Sequence, residues 1–223
     1  MYFLRKPCPF LHKERDFVYI RRMEKNPIFE RNVPGSTEKL QKATVGIAGC
    51  GGLGSNAAVA LVRAGVGRLI LADHDVVEAS NLNRQHYFQD DIGKKKVEAL
   101  ASHLRAVNPD VELVLHDLEL SPENVPGVYE EADLLIEAFD SADSKRWLIE
   151  SWCVAYPDRP IVAASGVSGC GHTEEMRVHS SGNIHVCGDE HSEMTMGLCA
   201  SRVMMAASME ANVAIGLLTG ENE

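Results

Sequence analysis

The sequence lacks any C-x-x-C pair. Its six cysteines (Cys8, Cys50, Cys153, Cys170, Cys187, Cys199) are scattered, which excludes a zinc ribbon and a thioredoxin-type redox motif. Such spacing suits a reducing compartment rather than a disulfide framework. Long apolar runs are missing too. The most apolar late stretch, 203–218, is interrupted by Glu210 and Asn212 and is too short to span a bilayer. Residues 1–10 carry Arg5, Lys6 and two prolines and do not read as a signal peptide, so a cytoplasmic protein without membrane contact is expected. Basic residues are in deficit, with 22 Lys and Arg against 32 Asp and Glu for a net charge of −10. A surface of that sign repels polyanions, which disfavours a general nucleic-acid-binding role.

What is present is ordinary globular material. With 223 residues, 45% hydrophobic and 24% charged, the chain has room for one sizeable core and not for two enzymatic domains. Charge divides unevenly: residues 1–31 hold eight basic and four acidic side chains, leaving fourteen and twenty-eight of the totals for the rest. The head is therefore +4 and the body −14. Residues 1–28 are expected to form a basic arm, and residues 29–223 the folded domain.

Short apolar runs alternate with amphipathic stretches. Thr44–Ala48 reads as a strand ending in Gly49, followed by a helix over 56–64 that Gly65 stops. Arg68–Ala72 is a second strand, and residues 94–107 carry helical spacing up to Pro109. Strands are predicted over 111–115, 133–138 and 160–164, with a helix over 141–155 and a short helix capped by Ser121-Pro122-Glu123. Two short strands, 173–178 and 183–187, read as a hairpin around Ser180-Ser181-Gly182, and an apolar helix over 199–218 follows. The expected fold is α/β, a Rossmann-like, mostly parallel sheet with helices on both faces and an antiparallel hairpin added at its C-terminal side.

Gly49-Cys50-Gly51-Gly52-Leu53-Gly54 is a G-x-G-x-x-G between strand and helix. There the missing side chains at Gly49, Gly51, Gly52 and Gly54 let backbone N–H groups approach a phosphate. Asp73, at the end of the second strand, stands where ribose hydroxyls are accepted, with Asp75 beside it. A plain dinucleotide site has no need of the cluster that follows: Asn81, Arg84 and Gly93-Lys94-Lys95-Lys96. Cations concentrated just past a ribose site suggest a triphosphate. Lysines at a helix start oppose the helix dipole, which favours a functional reading over a solvated helix end. Asp140, directly after an apolar strand, is a natural Mg²⁺ ligand facing phosphates.

In order and spacing these motifs resemble the ThiF/MoeB/HesA family of ubiquitin-activating-like adenylyltransferases. Ala64-Gly65-Val66-Gly67, Ser80-Asn81-Leu82-Asn83-Arg84-Gln85 and Gly93-x-x-Lys96 complete the pattern. The later Cys187-Gly188-Asp189 and residues 196–218 look most like the short ThiF-like proteins of thiamine biosynthesis. The resemblance implies ATP-dependent adenylation of the C-terminal Gly-Gly carboxylate of a small ubiquitin-like sulfur carrier by a homodimer. It gives Asp73 the ribose, Asn81, Arg84 and Lys96 the phosphates, and Asp140 the Mg²⁺. Arg31, in Phe29-Glu30-Arg31-Asn32, is similar to an arginine that the family extends into the partner subunit's site.

The sequence departs from longer members by lacking the paired C-x-x-C zinc site, a catalytic-cysteine domain and a rhodanese-like tail, so no structural zinc is expected. Cys187 and Cys199 are candidates for a thiol that takes over the carrier. A metal site drawn from Cys170, His172, His179, His185, Cys187 and His191 has no familiar zinc spacing. Rival readings are an NAD-dependent oxidoreductase, which leaves Arg84, Lys96 and Asp140 without a task, a same-family enzyme acting on a modified tRNA, and a scaffold without turnover.

Overall fold

The computed structural model describes residues 26–221. Compactness divides the chain at Arg31, giving a segment Met1–Arg31 and a body Asn32–Glu223. In the first, a single 3₁₀ turn, Pro27–Phe29, starts where the Asn26 side chain accepts the Ile28 N–H at 3.2 Å. The remaining basic-arm residues, 1–25, lie outside the described residues.

The body is built on seven strands: β1 (Thr44–Ala48), β2 (Arg68–Ala72), β3 (Glu112–His116), β4 (Leu134–Glu137), β5 (Ile161–Ala164), β6 (Arg177–Ser181) and β7 (Ile184–Gly188). Their order is β3-β2-β1-β4-β5-β7-β6, parallel throughout except for β6 against β7. Among the described residues six α-helices accompany them: α1 (Ser36–Leu40), α2 (Gly52–Ala64), α3 (Lys96–Val107), α4 (Val125–Val128), α5 (Ala142–Ala155) and α6 (Ala200–Thr219).

The central strands β1, β2, β4 and β5 are covered on both faces, which is why they read as continuous apolar runs. Alternation still sorts the side chains. Along β2, Leu69 and Leu71 join a core with α2, α3 and α6, whereas Ile70 and Ala72 join a second core with Tyr129, Leu148 and Trp152. The apolar α6 packs along α2, and its Ala206, Ala207, Ala211 and Ala214 are all buried in the core.

Four sequence expectations need correction. Helix α2 begins at Gly52, not at 56, because the glycine loop turns directly into helix. Helix α3 begins at Lys96 rather than 94, with Lys95 extended at its N-cap. Ser121-Pro122-Glu123 does not start a helix. The Asn124 side chain accepts the Ser121 N–H at 2.9 Å and closes a turn, and α4 follows with Pro126 in its first turn. In the hairpin, Thr173–Glu175 is a 3₁₀ turn; Ser180 and Ser181 belong to β6, and Gly182-Asn183 form the two-residue connection. The short helix α1 is not among the elements expected from the sequence.

Candidate functional site

The order of the strands reverses between β1 and β4, and a doubly wound sheet binds ligands outside the carboxyl ends of its strands at that point. A cavity of about 700 Å³ opens there. Its floor is the glycine loop. Gly49 has φ +95° and a Cβ at Gly54 would sit 1.9 Å from the Gly49 carbonyl oxygen, so the turn from β1 into α2 closes only on bare backbone.

Asp73 anchors the loop. One carboxylate oxygen accepts the Cys50 N–H at 2.7 Å and the other the Asp75 N–H at 2.8 Å. Lys96, 6% exposed, places Nζ 2.7 Å from Asp75 and 4.0 Å from Asp73. Burial pushes the Asp75 carboxyl upward, but the Lys96 hydrogen bond and charge outweigh it and hold the group below its usual range. Lys94 and Lys95 turn elsewhere, to Asp91 and Asp117 at 3.0 and 3.1 Å. Of the three lysines only Lys96 lines the cavity.

Arg84 lines it too, with Nη1 donating to the Ser80 carbonyl at 3.2 Å and to Asn83 Oδ1 at 2.8 Å. The loop that carries it is tied to α2 by two residues the sequence reading passed over. Asn56 Nδ2 donates to the carbonyls of Gly52 and Arg84, and Ser55 Oγ accepts the His86 N–H. Gln85, also in the wall, is buried, with its Oε1 lacking a hydrogen-bond partner among the described residues.

Gly49, Gly51, Gly52, Asp73, Asp75, Arg84, Lys96 and Asp140 all line this one cavity. Gly54, Asn81 and Arg31 do not. Gly54 serves the turn, and Asn81 Oδ1 accepts the Glu78 N–H at 3.0 Å, closing the 3₁₀ turn that precedes Arg84. Arg31 is exposed in the segment preceding the body. Asp140 is exposed just past β4, at the cavity wall.

The reading also missed Lys145. It stands in the first turn of α5, lines the cavity, and pairs with fully buried Glu137 at the end of β4, Nζ to Oε2 2.9 Å and to Oε1 3.2 Å. Glu137 further accepts the Phe139 N–H at 2.7 Å.

The two candidate thiols differ sharply. Cys187 is fully buried on β7; burial, with Glu210 nearby, pushes it up to about 12. Cys199, at the N-cap of α6, has Sγ 3.2 Å from Ser201 Oγ. That contact and the Ser201 N–H hold it below the ordinary thiol value. The thiolate is the reactive form. Iodoacetamide at pH 8 is therefore expected to modify Cys199 in the native protein at least about a hundredfold faster than Cys187. Peptide mapping that finds Cys187 labelled first would refute its burial. His172 and His191 each stand with neighbouring carboxylates, in the groups His172–Glu174–Glu175 and Glu175–Asp189–His191, but neither group includes a cysteine. Among the described residues no helix is long and apolar enough to cross a membrane.

A doubly wound sheet whose switch point holds a glycine loop, acidic side chains at the end of β2 and cations on the following loop defines a nucleotide-site architecture. The ThiF family profile matches residues 23–223, and the chain belongs to that family. It is 31% identical over 208 residues to the sulfur carrier protein ThiS adenylyltransferase of Bacillus subtilis, covering 90% of this chain and 61% of that protein. It is 39% identical over 130 residues to the adenylyltransferase and sulfurtransferase uba4 of Emericella nidulans, covering 58% of this chain and 27% of that one. The chain thus spans about a quarter to three-fifths of the length of these relatives. The fold matches the E. coli tRNA N6-threonylcarbamoyladenosine dehydratase TcdA, solved with AMP, with a TM-score of 0.78 at 21% identity, covering 88% of this chain and 94% of that one.

Proposed function

We propose that the protein uses ATP to adenylate the C-terminal Gly-Gly carboxylate of a small ubiquitin-like sulfur carrier of the ThiS type, the step that prepares a thiocarboxylate for thiamine biosynthesis. The observation that carries this reading is the meeting of a glycine loop, Asp73, Asp75, Arg84, Lys96 and Asp140 around one cavity. The match over 90% of the chain to an enzyme named for ThiS supports the choice of substrate.

Asp73 and Asp75 would accept the ribose hydroxyls, while the loop N–H groups, Arg84 and Lys96 take the phosphates. Asn81 serves by holding the turn that presents Arg84. Asp140 fits a Mg²⁺ ion, because one exposed carboxylate beside phosphate oxygens and water is a usual donor set for it; bound there, the ion would neutralise phosphate charge. The carrier carboxylate attacks the α-phosphorus. A carboxyl-oxygen–phosphorus bond forms, the bond to the bridging oxygen breaks, and pyrophosphate leaves. No protein nucleophile is consumed, so positioning and charge neutralisation supply the catalysis.

The test is exchange of labelled pyrophosphate into ATP with B. subtilis ThiS as the probe. ThiS-dependent exchange is expected. Binding of NAD without exchange would restore the oxidoreductase, and exchange stimulated by tRNA but not by ThiS would move the substrate to nucleic acid.

Arg31 belongs to the same proposal as a residue acting across a homodimer. Arg31→Ala and Asp140→Ala subunits, each inactive alone, are expected to recover roughly a quarter of wild-type exchange after mixing, because half the dimers are mixed and each has one complete site. No recovery would remove the role in trans.

A further inference from the structure

Besides His74, the basic side chains in the cavity wall are Arg84, Lys96 and Lys145. They fall on two sides of the switch point. Arg84 and Lys96 follow β2, as Asp73 and Asp75 do, whereas Lys145 and Asp140 follow β4, and Ser165 of the same cavity wall follows β5. If ribose and phosphates occupy the β2 side, an incoming polypeptide tail has the β4–β5 side left to approach from.

The Glu137–Lys145 pair is costly to build for stability alone. Glu137 is fully buried, and a buried ion pair contributes no more than well-packed apolar side chains of the same volume. Its arrangement has a different consequence. Glu137 holds the ammonium by both carboxylate oxygens while 21% of the Lys145 side chain remains accessible. A lysine otherwise free to rotate is thereby fixed in the cavity wall with part of its side chain accessible. Glu210, fully buried on α6, brings a second carboxyl close to this pair, with neither oxygen hydrogen-bonded among the described residues. Burial pushes it far above the usual carboxyl range, and burial pushes Glu137 up as well, against the opposing pull of Lys145.

Resting on the adenylation reading, we infer that Lys145 is a substrate-binding residue that receives the attacking carboxylate on the β4–β5 side of the α-phosphate. A carboxylate brought against a triphosphate is repelled by it, and a fixed cation on the approach side offsets that repulsion and orients the attacking oxygen. Arg84 and Lys96 cannot serve both ends of the reaction, since the leaving pyrophosphate needs them.

Lys145→Met keeps the bulk of the side chain and removes the charge. With B. subtilis ThiS as the probe, the KM for ThiS is expected to rise at least about tenfold, the value of one charge-assisted hydrogen bond. The ATP dissociation constant, measured by calorimetry without ThiS, is expected to stay within twofold. Lys145→Arg should return the KM to within threefold of wild type. Because Lys145→Met strands Glu137, a second variant, Glu137→Gln with Lys145→Met, removes the unpaired carboxylate and should show the same rise in KM with a wild-type melting temperature. A KM for ThiS unchanged in the folded double variant overturns the assignment. So does a loss of ATP affinity as large as the loss in KM, which would make Lys145 a phosphate ligand or a structural residue. Wild-type protein that binds ATP but exchanges with no carrier overturns the adenylation reading itself, and this assignment with it.

Discussion

Arg84→Ala is expected to lower ThiS-dependent pyrophosphate exchange at least about a hundredfold, the usual cost of deleting one preorganised charge donor from a site of this kind. Stability should hardly change, because Nη1 bonds only Ser80 and Asn83 on a surface loop, and both acceptors can turn to water. Melting within about 2 °C of wild type is therefore expected. Asp140→Ala should produce a loss of similar size by another route. The side chain is exposed, so the fold keeps its stability, but the variant should need far more Mg²⁺ to reach the same rate. A variant at Arg84 that keeps more than a tenth of wild-type exchange would remove it from the phosphate site.

Lys96 is a poorer probe of the same idea. It is nearly buried between Asp75 and Asp73, and its removal leaves two carboxylates facing each other beneath the Cys50 N–H that fixes the glycine loop. Activity and stability would fall together. Arg84 separates them.

The parts of the site legible in the sequence are those whose geometry is local. Gly49 through Gly54 sit on consecutive turns, and Asp73 closes an apolar run, so strand, loop and helix follow from spacing. What stayed hidden depends on residues that meet only in the folded chain. Glu137 lies inside an apolar run, and nothing in the run shows that Lys145, across a helix start, will neutralise it. Lys94, Lys95 and Lys96 look alike in sequence and diverge because Asp91 and Asp117 take the first two. Strand β6 is exposed on both faces, so no alternation marks it, and it starts at Arg177 rather than at the expected 173. Ser121-Pro122 carries the chemistry of a helix cap, but Asn124 uses its amide oxygen to close a turn there instead.

Asp189→Ala is expected to be the most destabilising single change. Asp189 is 2% exposed just past β7, and Arg202 on α6 is 4% exposed. One Asp189 oxygen accepts the N–H groups of His191 and Ser192, both at 2.8 Å, and the other is hydrogen-bonded to Arg202 Nη2. Arg202 Nη1 in turn donates to the Gly171 carbonyl at 2.6 Å. Gly166, with φ +70°, passes so close that a Cβ would lie 1.9 Å from Asp189. This one carboxylate thus ties β7, α6 and the 166–172 loop together, and with them Gly166, Ser168 and Ser192 of the cavity wall. Removing it strands a buried guanidinium whose Nε already lacks a partner among the described residues. The cost of breaking a buried pair is about 3–5 kcal/mol, or roughly 10 °C in Tm for a chain of this size. Burial alone would push Asp189 up, but the Ser192 and His191 N–H groups, the Ser192 hydroxyl and Arg202 together hold it at about 2, below its ordinary 3.8. Such a depressed carboxyl stabilises the fold above its unfolded value and stops doing so as pH falls through the folded one. Wild-type stability should therefore drop between about pH 4 and pH 2 by more than that of Asp189→Ala. Arg202→Met combined with Asp189→Leu, which leaves no stranded charge, should recover part of the loss. An Asp189→Ala protein that melts within about 2 °C of wild type, with the same acid profile, would show that the pair holds nothing together.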